Sequence, residues 1–142
     1  MNKNFKVIKV DHIAFATDSL EKSSYIFSDI LDIPNTEKEE VVSEKVNVLK
    51  FFNKDNLTSI ELLEPTSSKS SVSQFIENKG KGLHHIALEV DNIKNAISYL
   101  KKKKISLVYD SPQVGSDNKL ITFIHPESTP GILLELCQKN IS

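Results

Sequence analysis

The feature that most limits how this chain can fold is that it repeats itself. His12-Ile13-Ala14-Phe15-Ala16-Thr17-Asp18 lines up with His85-Ile86-Ala87-Leu88-Glu89-Val90-Asp91 at an offset of 73, and His, Ile, Ala and Asp coincide. Further on, Ser59-Ile60-Glu61-Leu62-Leu63 lines up with Leu133-Leu134-Glu135-Leu136-Cys137 at an offset of 74. Two matches in nearly the same register predict two copies of one plan, a strand opened by histidine, a helix, and a later strand carrying glutamate.

Local patterns extend that plan. Val7 to Thr17 is rich in Val, Ile and Phe and reads as a strand. Asp18 followed by Glu21 resembles a capping box, after which Leu20, Ser24, Phe27 and Leu31 share a helical face until Pro34 ends the run. In the second half Asp91 is the expected N-cap, Ile93, Ala96, Ile97 and Leu100 follow at helical spacing, and Lys101 to Lys104 closes the helix at the negative end of its dipole. Three strand-like runs follow each helix: near Glu39 to Ser43, Glu44 to Phe52 and Leu57 to Leu63; then Ile105 to Asp110, Leu120 to His125 and Gly131 to Gln138. Asn53-Lys54-Asp55-Asn56 has the composition of a hairpin turn. Thr66 to Ser71 reads as a linker, Val72 to Asn78 as a short helix and Gly80 as its C-cap. The expected fold is α+β, two βαβββ modules forming a curved mixed sheet around a cleft. Module one spans about 6–65, the linker and short helix 66–80 and module two about 81–140, together one domain over 1–142.

Composition narrows the chemistry. With 142 residues the chain is long enough for one domain with a real core. Its net charge of −1 lacks the basic excess typical of nucleic-acid binders. No apolar run approaches the ~20 residues of a membrane span, and Met1 to Asn4 leads straight into strand-like sequence, so a soluble cytoplasmic protein is expected. A single cysteine allows neither an internal disulfide nor a thiolate cluster. Any metal must be held by carboxylates and the four histidines.

Glu61 and Glu135 both interrupt strands that otherwise read as buried, where a carboxylate is costly unless something positive neutralises it. By alternation His12 shares a face with Ala14 and Ala16, and His85 with Ala87, small neighbours that leave space beside an imidazole. His12 precedes Glu61 by 49 residues and His85 precedes Glu135 by 50. Two His and two Glu at repeat-related positions form a set suited to Zn, Co, Ni, Mn or Fe. His84 faces the other way and reads as structural or supporting. His125, without a repeat counterpart, is a candidate substrate-binding residue. Cys137 reads as a small core residue, and Lys79, Lys81 and Lys101 to Lys104 as solvated surface.

At these residues the chain resembles the vicinal oxygen chelate (glyoxalase/bleomycin resistance) superfamily and, within it, the methylmalonyl-CoA epimerase family. The passages that carry the resemblance are Val10-Asp11-His12-Ile13-Ala14, Glu61-Leu62-Leu63-Glu64-Pro65, Gly82-Leu83-His84-His85-Ile86-Ala87, Phe123-Ile124-His125-Pro126 and Gly131-Ile132-Leu133-Leu134-Glu135-Leu136. The resemblance implies a divalent metal, Co, Mn, Ni, Zn or Mg, held by His12, Glu61, His85 and Glu135, with Glu61 standing where some members have Gln. It implies an acyl-CoA substrate, Glu135 as both ligand and catalytic base, and a homodimer. The chain departs from the pattern in two places. By alignment Asn47 stands where some members carry a proton-transferring glutamate, which leaves Asn47 a candidate to position a substrate or water. Ser116-Asp117-Asn118 replaces an expected glycine-rich turn.

Three readings follow: an epimerase acting through an enolate, a glyoxalase I-type lyase on a glutathione hemithioacetal, and a non-enzymatic small-molecule-binding relative. Four protein ligands leave too few open positions for extradiol dioxygenase chemistry.

Overall fold

The computed structural model describes residues 3–140, so both ends of the 1–142 span lie outside the described residues. Their contacts divide them into two compact units, 12–84 and the remainder, the cuts falling inside the two histidine-bearing strands β1 (Val7–Ala16) and β5 (Gly82–Val90). Each unit is a βαβββ module, so the α+β class and the duplication are both present.

In the 12–84 unit the strands lie in the order β2-β3-β4-β1, with β2 at Glu39–Val41, β3 at Val46–Phe51 and β4 at Ser59–Pro65. β1 and β4 are parallel, the other pairs antiparallel. Helix α1 (Leu20–Tyr25) is capped by Ser19, whose side chain accepts from the Lys22 N–H at 3.1 Å, so the cap is one residue later than Asp18. It widens into a π turn over Ile26–Ile30 before the chain leaves the helix. Leu20, Leu49, Phe51 and Leu62 bury one face of the strands, joined by Phe15, Phe27, Ile33 and Ile60. On the opposite face Ala14, Ala16, Val41, Val46, Val48 and Leu63 pack with Val72, Phe75 and Ile76 of helix α2 (Ser71–Lys79). Gly80 ends α2 at φ +82°, donating its N–H to the Ile76 carbonyl at 2.7 Å, the left-handed turn for which glycine is suited.

In the other unit the order is β5-β8-β7-β6, with β6 at Gln113–Val114, β7 at Leu120–Ile124 and β8 at Leu133–Gln138. Again the histidine and glutamate strands, β5 and β8, are parallel. Helix α3 (Ile93–Lys102) is capped by Asn92, which accepts from Asn95 N–H at 3.0 Å, while Asp91 accepts from the Lys6 N–H at 2.7 Å instead. Both caps thus fall one residue past the expected aspartate. Ile93, Ala96 and Ile97 bury the helix against Val90, Ile124 and Leu136. The run Ile105 to Asp110 is not a strand. It makes one bridge, Leu107 to Ile124, and the edge strand is β6 instead. No helix among the described residues is long and apolar enough to cross a membrane.

Candidate active site

The repeat is reproduced in the strand register. In β1 and β4 Ala14 pairs with Glu61, and in β5 and β8 Ala87 pairs with Glu135. Each histidine stands two residues before the alanine and so on the same face as the glutamate. Alanine at the paired position keeps the space between imidazole and carboxylate open: His12 Nδ1 lies 3.3 Å from Glu61 Oε2, and His85 Nε2 lies 3.0 Å from Glu135 Oε1. All four side chains are buried.

The surroundings of the two pairs differ. On the strand antiparallel to the glutamate strand, Lys50 pairs with Glu61 and Phe123 pairs with Glu135, again at an offset of 73. Lys50 is 3% exposed, and its Nζ lies 3.5 Å from the Glu61 oxygen that faces His12. Phe123 instead meets the His85 ring edge-on, with centroids 5.6 Å apart, and continues into Tyr109. Cys137, on the Glu135 face of β8, is fully buried beside Ala87, Ile121 and Phe123. Burial, reinforced by the charge of Glu135, pushes its thiol well above the ordinary range, so it stays neutral and is no nucleophile.

The remaining sequence candidates have other positions. Asn47 pairs with Glu64 and lies on the opposite face of β3 from Lys50 and Glu61, because an odd separation reverses the side chain. The alignment with a proton-transferring position therefore does not bring it to the His12 and Glu61 pair. His125 is exposed and caps a 3-10 turn, its Nδ1 accepting from the Glu127 N–H at 3.1 Å. His84 packs edge-on against Phe75, with ring centroids 5.0 Å apart, a structural position.

Two buried charged residues were not singled out in the sequence. One is Lys50, a lysine inside the apolar run Val48-Leu49-Lys50-Phe51; the reasoning that flags Glu61 in its strand would also flag it. The other is Asp11, 7% exposed, which receives the Lys119 ammonium at 2.8 Å and lies 3.6 Å from that of Lys9.

Each unit thus carries a buried imidazole against a buried carboxylate. Such nitrogen and oxygen donors suit a borderline or hard divalent ion. The donor set fits a metal.

A sequence profile described as the glyoxalase/bleomycin resistance protein/dioxygenase superfamily matches residues 11–123. The chain is 38% identical over 135 residues to mitochondrial methylmalonyl-CoA epimerase of Mus musculus, covering 94% of this chain and 75% of that protein. It is 31% identical to the ethylmalonyl-CoA/methylmalonyl-CoA epimerase of Cereibacter sphaeroides, covering 92% and 97%. Among solved structures, a variant of Streptomyces coelicolor methylmalonyl-CoA epimerase in complex with 2-nitronate-propionyl-CoA superposes with a TM-score of 0.89 at 26% identity, covering 96% of this chain and all of that one.

Proposed function

Because the chain belongs to the glyoxalase/bleomycin resistance/dioxygenase superfamily and, within it, to the methylmalonyl-CoA epimerases, we propose that it interconverts the 2R and 2S forms of methylmalonyl-CoA. The observation that carries this reading is the pair of buried His–Glu contacts in identical register, present in a chain whose relatives bear that name.

The C2 hydrogen of this substrate lies between a thioester and a carboxylate, and its removal leaves an enolate. In this reading His12, Glu61, His85 and Glu135 hold one divalent ion, Co, Mn, Ni, Zn or Mg. When bound, that ion supplies positive charge to the substrate oxygens as negative charge develops on them. Glu135, a buried carboxylate, takes the C2 proton. Inversion also needs a group that delivers a proton to the other side of C2, and the Glu61 carboxylate, tied to the Lys50 ammonium, carries none to give. Neither Asn47 nor His125 shares that work. The acyl-CoA is bound by a homodimer in the cytoplasm, a setting in which the single free Cys137 stays reduced.

Deuterium exchange tests the reading. Purified protein loaded with Co²⁺ or Mn²⁺ should introduce deuterium at C2 of methylmalonyl-CoA in D₂O, and leave methylglyoxal with glutathione unchanged. Absence of exchange at C2, or turnover of the hemithioacetal instead, overturns it.

A further inference from the structure

The repeat makes Lys50 and Phe123 equivalent, yet the residue paired with the glutamate is a buried lysine in the first half and a phenylalanine in the second. A lysine side chain is strongly hydrated and loses conformational freedom when buried, so a 3% exposed lysine in an apolar strand needs a compensating partner. Glu61 is that partner, with Lys50 Nζ 3.5 Å from the same Oε2 that lies 3.3 Å from His12. The Lys50 backbone is tied to its neighbour on both sides. The Lys50 N–H donates to Thr36 Oγ1 at 3.2 Å, and its carbonyl accepts from Thr36 N–H at 2.9 Å. On either side Leu49 and Phe51 anchor β3 in the core beneath α1.

We propose that Lys50 is a positioning residue whose ammonium is the standing counter-charge of Glu61, keeping that carboxylate beside His12 without a metal and weakening the attraction of this half for a divalent cation. A glutamate with a lysine against it presents to an incoming ion nearly the charge of a neutral amide. Half one is in this way preassembled, whereas half two meets the ion with an aromatic ring at the equivalent place. The metal part of this inference rests on the function proposed above; the Lys50–Glu61 coupling stands without it.

The experiment compares wild type, Lys50→Met, Lys50→Arg, Glu61→Gln and the double variant Lys50→Met/Glu61→Gln, by thermal unfolding without metal and by calorimetric titration with Mn²⁺ and Co²⁺. Leaving a buried carboxylate without its ammonium should lower the metal-free Tm of Lys50→Met by on the order of 10 °C. The double variant should regain most of that loss, and Lys50→Arg should stay near wild type. Lys50→Met should bind Mn²⁺ roughly tenfold more tightly than wild type, since a like charge close to the ion is gone. Additive losses in the double variant would overturn the proposal by making Lys50 a packing residue, and so would weaker Mn²⁺ binding by Lys50→Met. A wild type that takes up neither ion contradicts the metal reading, and the metal-free coupling then decides the role of Lys50.

Discussion

The two halves of this protein share a backbone plan but have different chemical surroundings. Both pair a histidine strand in parallel with a glutamate strand, and both set alanine opposite the glutamate. In the first half the neighbouring strand contributes a buried cation, in the second an aromatic ring that packs on the histidine. Duplication thus supplies two carboxylates in equivalent register, and one difference between the halves, Lys50 against Phe123, makes their surroundings unequal. A carboxylate tied to an ammonium is suited to hold a fixed position. In the proposed mechanism this difference leaves Glu61 a ligand and gives proton transfer to Glu135.

The largest expected effect is at Glu135. Glu135→Gln should reduce deuterium exchange at C2 by about 10³-fold, the range for losing a general base. Glu61→Gln keeps an oxygen ligand and should cost about 10–100-fold, as for changes that disturb a site without removing its chemistry. Equal losses in the two variants, measured by the same exchange assay, would break the comparison.

Stability sharpens it next. Phe123→Ala removes a buried ring at the position equivalent to Lys50 and should destabilise the fold by about 3–5 kcal/mol in denaturant unfolding. A value under 1 kcal/mol would show that the ring does not support the second half.

Cys137 gives a smaller effect with a definite sign. Its thiol is held neutral by burial in the folded protein, so the unfolded chain releases that proton at lower pH than the folded one. The stability it confers is complete below the ordinary thiol range and is lost as pH rises above about 8.5. Unfolding free energies between pH 7 and 10 should fall more steeply for wild type than for Cys137→Ala. Parallel profiles would contradict the buried neutral thiol.

The smallest effects belong to residues that the structure sets apart from the His–Glu pairs. Asn47→Ala should leave C2 exchange within about twofold, and His125→Ala should cost only about 0.5–1.5 kcal/mol for the lost cap hydrogen bond. A large catalytic loss in either would return it to the site.

Much of this was legible in the sequence because the informative residues break a local rule. Glu61 and Glu135 are charged in apolar strands, and their spacings from a histidine, 49 and 50 residues, make each the other's control. The strand pairing follows from the same repeat, since equivalent residues must find equivalent partners. What escaped depended on contacts across strands. Lys50 needs the β3 and β4 register before it meets Glu61, and Asp11 needs Lys119, 108 residues away. Asn47 shares an alignment column with a proton-transferring glutamate, but a column does not say which face of a strand a residue presents, and Asn47 faces away from Lys50. The caps were missed by one residue in each half because aspartate and its neighbour both favour that position; backbone geometry selected Ser19 and Asn92. Ile105 to Asp110 has the composition of a strand, but it makes a single bridge at Leu107.

The central claim is that two repeat-related pairs serve one metal. The direct measurement is the number of divalent ions per chain, by elemental analysis of protein equilibrated with Mn²⁺ or Co²⁺ and then freed of excess, for wild type, His12→Ala and His85→Ala. One ion per chain in wild type, lost in both variants, is the predicted result. Two ions per chain, or one that survives either substitution, would contradict the account.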